Sequence, residues 1–280
     1  MKNKNILILG GDKRSSYLRT FFAEKGFISV YINVKIQKED LLKNISNADI
    51  IILPLPFTKD GDYVFSESVD FKLRLDTFID TLKDNQIVAA GKTDALFRQK
   101  LKEKGIKFFD YYEDSKLTKT NSYLTSLGAL KLLFENNKKI LRNKKVLVTG
   151  YGNISEILCK MLNNLEMNVY VAARKQQQRN CALNCGYNSF DISDISKYAN
   201  DFDYIFNTVP SRIFTECDIE NMKDSCLFTE LASAPFGADK IYFDKYYKKY
   251  IYAPSLPGRF YPEEAARAVY DSIYEFIFKR

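Results

Sequence analysis

Apolar residues along this chain fall into short unbroken runs separated by stretches of helical spacing. Runs at 5–9, 27–34, 48–53, 87–90 and 107–111 predict buried strands, and the spacing over 15–25, 73–82 and 97–104 predicts helices. Unbroken runs, rather than strict alternation, are what a parallel sheet covered on both faces requires. Residues 1–115 therefore read as one α/β domain, followed by a long helix over 116–141. A second set of runs lies at 146–149, 168–173, 203–207, 227–231 and 250–253. Pro262 opens a last helix with Glu263 and Glu264 in its first turn, the sign the helix dipole favours, and 265–278 keep helical apolar spacing.

The segment 144–175 is the most informative. A strand at 146–149 runs into Gly150-Tyr151-Gly152, and Ile154, Ile157, Leu158, Met161, Leu162 and Leu165 then recur as one helix face before the strand at 168–173. Gly150 permits a tight turn, and Gly152 lets backbone approach a pyrophosphate. The helix behind them, opened by Asn153, Ile154 and Ser155, offers free N–H groups. Ser155 occupies the third position of G-x-G-x-x-G, where a small residue can serve helix–strand packing. Flanking strand and helix make this a βαβ dinucleotide site. The second strand ends in Ala172-Ala173-Arg174-Lys175, with no carboxylate for a ribose 2′-hydroxyl and two cations for a 2′-phosphate. NADP is favoured, and NAD is the lesser candidate. The strand ending at Asn207 places Thr208, Val209 and Pro210 where the nicotinamide is expected.

Two further turns could carry chemistry. Gly10-Gly11-Asp12-x-Arg14 follows the first strand and forms a natural anion site. Gly91-Lys92-Thr93 resembles the end of a phosphate-binding loop, but residue 86 is glutamine where that motif needs glycine, so the motif is rejected. In the long helix, Asn121 and Thr125 are four residues apart and share a face.

Composition narrows the classes. The chain has 280 residues, enough for two domains, with 46% hydrophobic and 28% charged residues. No apolar run is long enough for a transmembrane helix, and the opening MKNKNILILGGDKR does not read as a signal peptide, so a cytoplasmic protein is expected. Net charge is +7 with scattered lysines, which suits anionic small molecules and carries no specific nucleic-acid motif. The five cysteines show no paired spacing, and there is no histidine. No disulfide framework or metal site is expected, and Ser-His or His-carboxylate catalysis is excluded.

The fold class expected is α/β with two doubly wound domains. These are an N-terminal flavodoxin- or Rossmann-like substrate domain (1–115) and an NADP-binding Rossmann domain with its bridging helix (116–256). A C-terminal helix (257–280) returns to pack on the first domain, and hinges are expected at 116–122 and 256–262.

The ordered motifs resemble the dipicolinate synthase A-subunit family. These are Gly10-Gly11-Asp12-x-Arg14, Pro54-Leu55-Pro56, Asp60-Gly61, Val64-Phe65-Ser66, Asn121-x-x-x-Thr125-x-x-Gly128-Ala129, 146–152 with Ala172-Ala173-Arg174, Asn207-Thr208-x-Pro210-Ser211, Leu231-Ala232-Ser233-x-Pro235 and Leu256-Pro257-Gly258-x-x-x-Pro262. The resemblance spans nearly the whole chain. It departs at Leu124 and Leu127 (family Pro and Glu), Ser155 (Gly), Glu230 (Asp) and Ala234 (Arg).

What the resemblance implies is NADP-dependent oxidation of dihydrodipicolinate, or its hydroxylated tetrahydro precursor, to dipicolinate. It also implies a partner, a flavoprotein-like second subunit, in the mother cell of a sporulating bacterium. Arg14 with the Gly10 and Gly11 amides would hold one substrate carboxylate. Asn121, Thr125 and a loop of Ser255, Leu256, Pro257 and Gly258 would hold the other end, and Asp12 or solvent would take the proton. A homodimer is left open. The rivals are another NADP-dependent dehydrogenase of a small acid, on the shikimate or methylenetetrahydrofolate dehydrogenase plan, and a non-catalytic NADP-binding scaffold. A 2-hydroxyacid dehydrogenase lacks its catalytic histidine here.

Overall fold

The computed structural model describes residues 4–279. The chain begins β1 (Asn5–Leu9), α1 (Lys13–Glu24), β2 (Ile28–Ile32), α2 (Lys38–Asn47), β3 (Ile50–Ile52), α3 (Leu75–Thr81), β4 (Ile87–Ala90), α4 (Ala95–Glu103) and β5 (Lys107–Asp110). The long helix α5 (Ser115–Asn136) comes next. It is followed by β6 (Lys145–Thr149), α6 (Asn153–Asn164), β7 (Asn168–Ala173), α7 (Gln176–Asn184), β8 (Asn188–Asp191), α8 (Ile195–Tyr198) and β9 (Tyr204–Asn207). The chain ends with α9 (Glu216–Asn221), β10 (Leu227–Glu230), α10 (Lys240–Lys245), β11 (Lys249–Tyr252), α11 (Leu256–Phe260) and α12 (Pro262–Tyr274). Two compact units result, one reaching Asn121 and resuming at Pro257, the other Ser122–Leu256. The first division falls inside α5, a few residues later than 115.

In the first unit a parallel sheet has the order β2-β1-β3-β4-β5. Neighbouring residues of β1 serve opposite faces. Leu7 and Leu9 enter a core with Ile45, Phe78, Phe97 and Leu101, while Ile6 and Ile8 enter one with Phe22, Val269 and Ile273. This two-sided burial is why the strands read as unbroken apolar runs. The second core draws in α12, whose Tyr270 ring meets Phe22 edge-on at 4.8 Å between centroids.

In the second unit the parallel sheet has the order β11-β10-β9-β6-β7-β8. Counted from β6, this is the doubly wound order of dinucleotide-binding domains. Leu147, Ile205 and Phe228 point into one core with Phe202, Ile219 and Phe243. In each unit the strand order reverses beside its first strand, between β1 and β3 and between β6 and β9. Such switch points open a crevice at the carboxyl ends of the strands.

Several elements differ from expectation. Residues 256–260 form α11, not a loop, because Pro257 is tolerated in a first helical turn and Leu256 is buried. Helix α5 stops at Asn136 rather than 141. The Asn137 side chain there donates to Lys139 O and accepts from Lys139 N, a local alternative to the helix ladder. Helix α7 and strand β8 are not announced by periodicity, since Ala182 is the only buried residue of α7. Among the described residues no helix is long and apolar enough to cross a membrane.

Candidate active site

The crevice of the second unit is built by the ends of β6, β7 and β9. Gly150 leaves β6 at φ +77, and a Cβ there would stand 3.0 Å from both Thr208 Oγ1 and Val209 Cγ2. Conformation and space therefore both call for glycine. Gly152 is the N-cap of α6 and provides no side-chain cap, and a Cβ there would meet nothing within 4 Å. Helices α1 and α4 differ, because Asp12 and Asp94 cap them. The start of α6, with Gly152 and Asn153 exposed and Ile154 half-buried, thus presents uncapped N–H groups to open space. A dinucleotide pyrophosphate fits that arrangement.

Ser155 is buried, and its Oγ lies 2.9 Å from Thr208 Oγ1. The single Thr208 hydroxyl proton goes to Thr149 O at 2.7 Å, so Ser155 is the donor of the pair. A serine in place of the third glycine ties α6 to the end of β9 and fixes Thr208. Val209 is half-buried and Pro210 exposed beside it. Arg174 and Lys175 are exposed past the end of β7. The nearby Asp191 carboxylate is taken by Arg179 Nη1 at 2.5 Å and by Ser193, whose backbone N–H donates from 3.0 Å. Those hydrogen bonds, the Ser193 backbone first, hold its pKa below the usual carboxylate value. Arg179 also donates to Ala173 O and Arg174 O, and Gln178 Nε2 donates to Tyr151 O at 3.0 Å. Helix α7 therefore braces both the glycine turn and the β7 end. Its low apolar content hid this role.

Behind the crevice runs a buried polar chain. Thr149 Oγ1 donates to Asn207 Oδ1 at 2.5 Å, and Asn207 Nδ2 donates to Glu230 Oε1 at 2.6 Å and to Val209 O at 3.0 Å. Glu230 also accepts from the N–H groups of Ala232 and Gly237. Burial pushes the Glu230 carboxyl up, and these donors offset that only in part. A raised carboxyl pKa means the folded state holds its proton longer than the unfolded state. Stability from this group is present below its ordinary value of 4.5 and falls as pH rises through the folded value. Wild type should thus lose stability relative to Glu230→Gln as pH rises above that ordinary value. Urea midpoints of the two proteins at rising pH check this, and a flat or opposite trend in their difference would refute it.

The crevice of the first unit departs more from expectation. Gly10 and Gly11 have φ +62 and +90, but their amides are engaged. Gly10 N donates to Ile32 O at 2.9 Å and Gly11 N to Phe65 O at 2.7 Å, so neither can hold a carboxylate as expected. Asp12 caps α1 and receives Arg14 on both oxygens, Nε to Oδ1 at 2.8 Å and Nη2 to Oδ2 at 2.7 Å. A carboxylate so bound positions Arg14 and is not the proton acceptor expected of it. Arg14 Nη2 donates also to Leu55 O at 2.5 Å. Burial opposes its charge, but the Asp12 hydrogen bonds and charge prevail and raise its pKa. Among the described residues only Nη1 of this guanidinium has no hydrogen-bond partner. A Cβ on Gly258 would fall 2.7 Å from Asp12 Oδ2 and 3.1 Å from Arg14 Nε, so this glycine lies directly on the ion pair. Pro257 is buried beside it.

The remaining expected residues lie along the chain at the divisions between the two units. Leu256 and the exposed Ser255, at φ +52, belong to the second unit. Asn121 and Thr125 sit on either side of the division within α5, with Thr125 buried.

Known proteins match in the same two parts. Residues 5–112 match the N-terminal domain of the dipicolinate synthase A-subunit. Residues 118–236 match the D-isomer specific 2-hydroxyacid dehydrogenase NAD binding domain. The dipicolinate synthase A-subunit of Bacillus subtilis (strain 168) is 26% identical over 222 residues, 78% of this chain and 74% of that protein. The crystal structure of the dipicolinate synthase A-subunit from Bacillus halodurans superposes with a TM-score of 0.85 at 21% identity, covering 100% of both chains. A phosphoglycerate oxidoreductase from Vibrio cholerae shares the fold at a TM-score of 0.65 and 14% identity, covering 99% of this chain and 100% of its own. An N-terminal domain of the first kind, joined to a nicotinamide-dinucleotide domain of the second, makes the chain an NAD(P)-dependent oxidoreductase related to the dipicolinate synthase A-subunit.

Proposed function

We propose that the chain oxidises a dihydrodipicolinate-type ring dicarboxylate, or its hydroxylated tetrahydro precursor, with NADP as electron acceptor. The observation that carries this reading is Arg14, buried at the β1/β3 switch point with its Nη1 edge left for an anion. A guanidinium already held by Asp12 and Leu55 O is pre-organised for a carboxylate. When bound, the nicotinamide would take a hydride from a ring C–H of the dihydro compound while a proton leaves and the ring becomes aromatic; the hydroxylated precursor must in addition lose water. The chain's part is to orient the ring through its carboxylates and to hold the dinucleotide at α6, Thr208 and the β7 end. With Asp12 engaged by Arg14, the proton is assigned to solvent.

The preference for NADP rests on Arg174 and Lys175, exposed past β7, and on the prior engagement of Asp191. On the same reading the protein works with a flavoprotein-like second subunit in the mother cell of a sporulating bacterium.

Titration of NADP and NAD against wild type and Arg174→Ala tests the cofactor part. Arg174→Ala should weaken NADP by about 1–3 kcal/mol and leave NAD unchanged. Wild type that prefers NAD, or equal losses for both dinucleotides, would remove the 2′-phosphate role. Turnover of dihydrodipicolinate with and without the second subunit then tests the substrate.

A further inference from the structure

The end of β4 carries a cation that no part of the reading above uses. Lys92 follows Gly91 in the left-handed region, at φ +59, an uncommon conformation for a side-chain-bearing residue. The buried carboxylate of Asp110 holds it there. Asp110 Oδ1 accepts from Lys92 N at 3.0 Å, and Oδ2 accepts from Thr93 N at 2.8 Å and Thr93 Oγ1 at 2.7 Å. Arg98 neutralises the same carboxylate at 2.8 Å. The Lys92 side chain is exposed, and among the described residues its Nζ has neither a hydrogen bond nor an ion pair. A strained turn held by a buried carboxylate, with a free ammonium at its tip, is the sort of local cost that persists at functional sites.

The turn is stitched to the Arg14 site. Gly91 N donates to Pro54 O at 3.2 Å, and Phe57 N donates to Gly91 O at 3.0 Å. A Cβ on Gly91 would stand 2.9 Å from Leu55 Cβ and 2.5 Å from the Tyr111 ring. Leu55 is the residue whose carbonyl receives Arg14 Nη2 at 2.5 Å. The guanidinium therefore lies over the end of β3, and Lys92 leaves the neighbouring strand about 4.8 Å away. A lysine side chain is long enough to span adjacent strands, so both cations stand at the same end of the sheet, one beyond β3 and one beyond β4.

We propose that Lys92 is the second carboxylate-binding residue of the substrate site, so that a dicarboxylate is held between Arg14 and Lys92. This rests on the reading of the first unit as the carboxylate-binding domain and adds what selects two carboxylates over one. It also relocates the second carboxylate from Asn121, Thr125 and the 255–258 segment to the β4 turn.

The test uses the full chain and two probes, pyridine-2,6-dicarboxylate and pyridine-2-carboxylate, by calorimetry. Wild type should bind the dicarboxylate more tightly. Lys92→Gly, which suits the positive φ and keeps the turn, should lose about 10–100-fold of dicarboxylate affinity. Its affinity for the monocarboxylate and for NADP should not change. Lys92→Arg should retain most of the discrimination, and the melting temperature of Lys92→Gly should match or exceed wild type. A Lys92→Gly protein that still favours the dicarboxylate as wild type does refutes Lys92 while leaving the substrate reading intact. Wild type that binds NADP but neither acid refutes the substrate reading, and Lys92 with it.

Discussion

Arg14→Ala should destabilise the protein by about 3–5 kcal/mol, because it strands Asp12 as a buried, unpaired carboxylate. Asp12 is only 6% exposed, and it keeps the Arg14 backbone N–H as the α1 cap while losing three side-chain hydrogen bonds. The Leu55 carbonyl loses its guanidinium partner too. Removing both charges should be far milder, since the expense lies in leaving one behind. Asp12→Ser with Arg14→Met retains a cap and should recover more than half of the loss. Urea denaturation of the single and double variants checks this. A single-variant loss below about 1 kcal/mol, or no recovery in the double, would mean the pair is better hydrated than its geometry shows. At sub-denaturing temperature the KM of Arg14→Ala for the proposed ring dicarboxylate should rise strongly while NADP affinity holds, because Arg14 and the dinucleotide site belong to different units.

Gly237→Ala should have the next largest effect, about 2–4 kcal/mol, and it should also weaken dinucleotide binding. A Cβ there would stand 2.5 Å from Asn207 Cγ, with the amide nitrogen and oxygen also in its way. Asn207 cannot yield cheaply. It is fully buried, accepts from Thr149, and donates to Glu230 and to Val209 O. Displacing it leaves a buried carboxylate short of a donor and frees the Thr208–Val209 turn that lines the dinucleotide crevice. Stability from chemical denaturation and NADP affinity should therefore fall together. An unchanged NADP affinity alongside the stability loss would uncouple the buried chain from the cofactor site.

Much of this architecture is legible in the residues alone. The strands β1, β3, β4, β6 and β7 appear as unbroken apolar runs because both faces of each sheet are covered, and the dinucleotide turn appears because Gly150 needs a conformation that few other residues tolerate. The absence of histidine and the Arg174-Lys175 pair are composition facts that narrow the chemistry before any fold is known.

Tertiary structure decided which polar groups remain available. Gly10 and Gly11 look like anion-binding amides until Ile32 and Phe65 arrive from distant parts of the chain to accept from them. Asp12 looks like a base until Arg14 folds back onto it, and Glu230 looks like a conservative exchange until Asn207, 23 residues away, makes it the end of a buried network. Lys92 looks like part of a failed phosphate motif until Asp110, 18 residues on, fixes its turn beside the Arg14 site. Apolar periodicity is a local property and survives in sequence. Hydrogen-bond satisfaction is settled between residues brought together only by the sheet order, so the chain by itself determined the fold and the dinucleotide turn, and the folded structure decided which side chains are free to act.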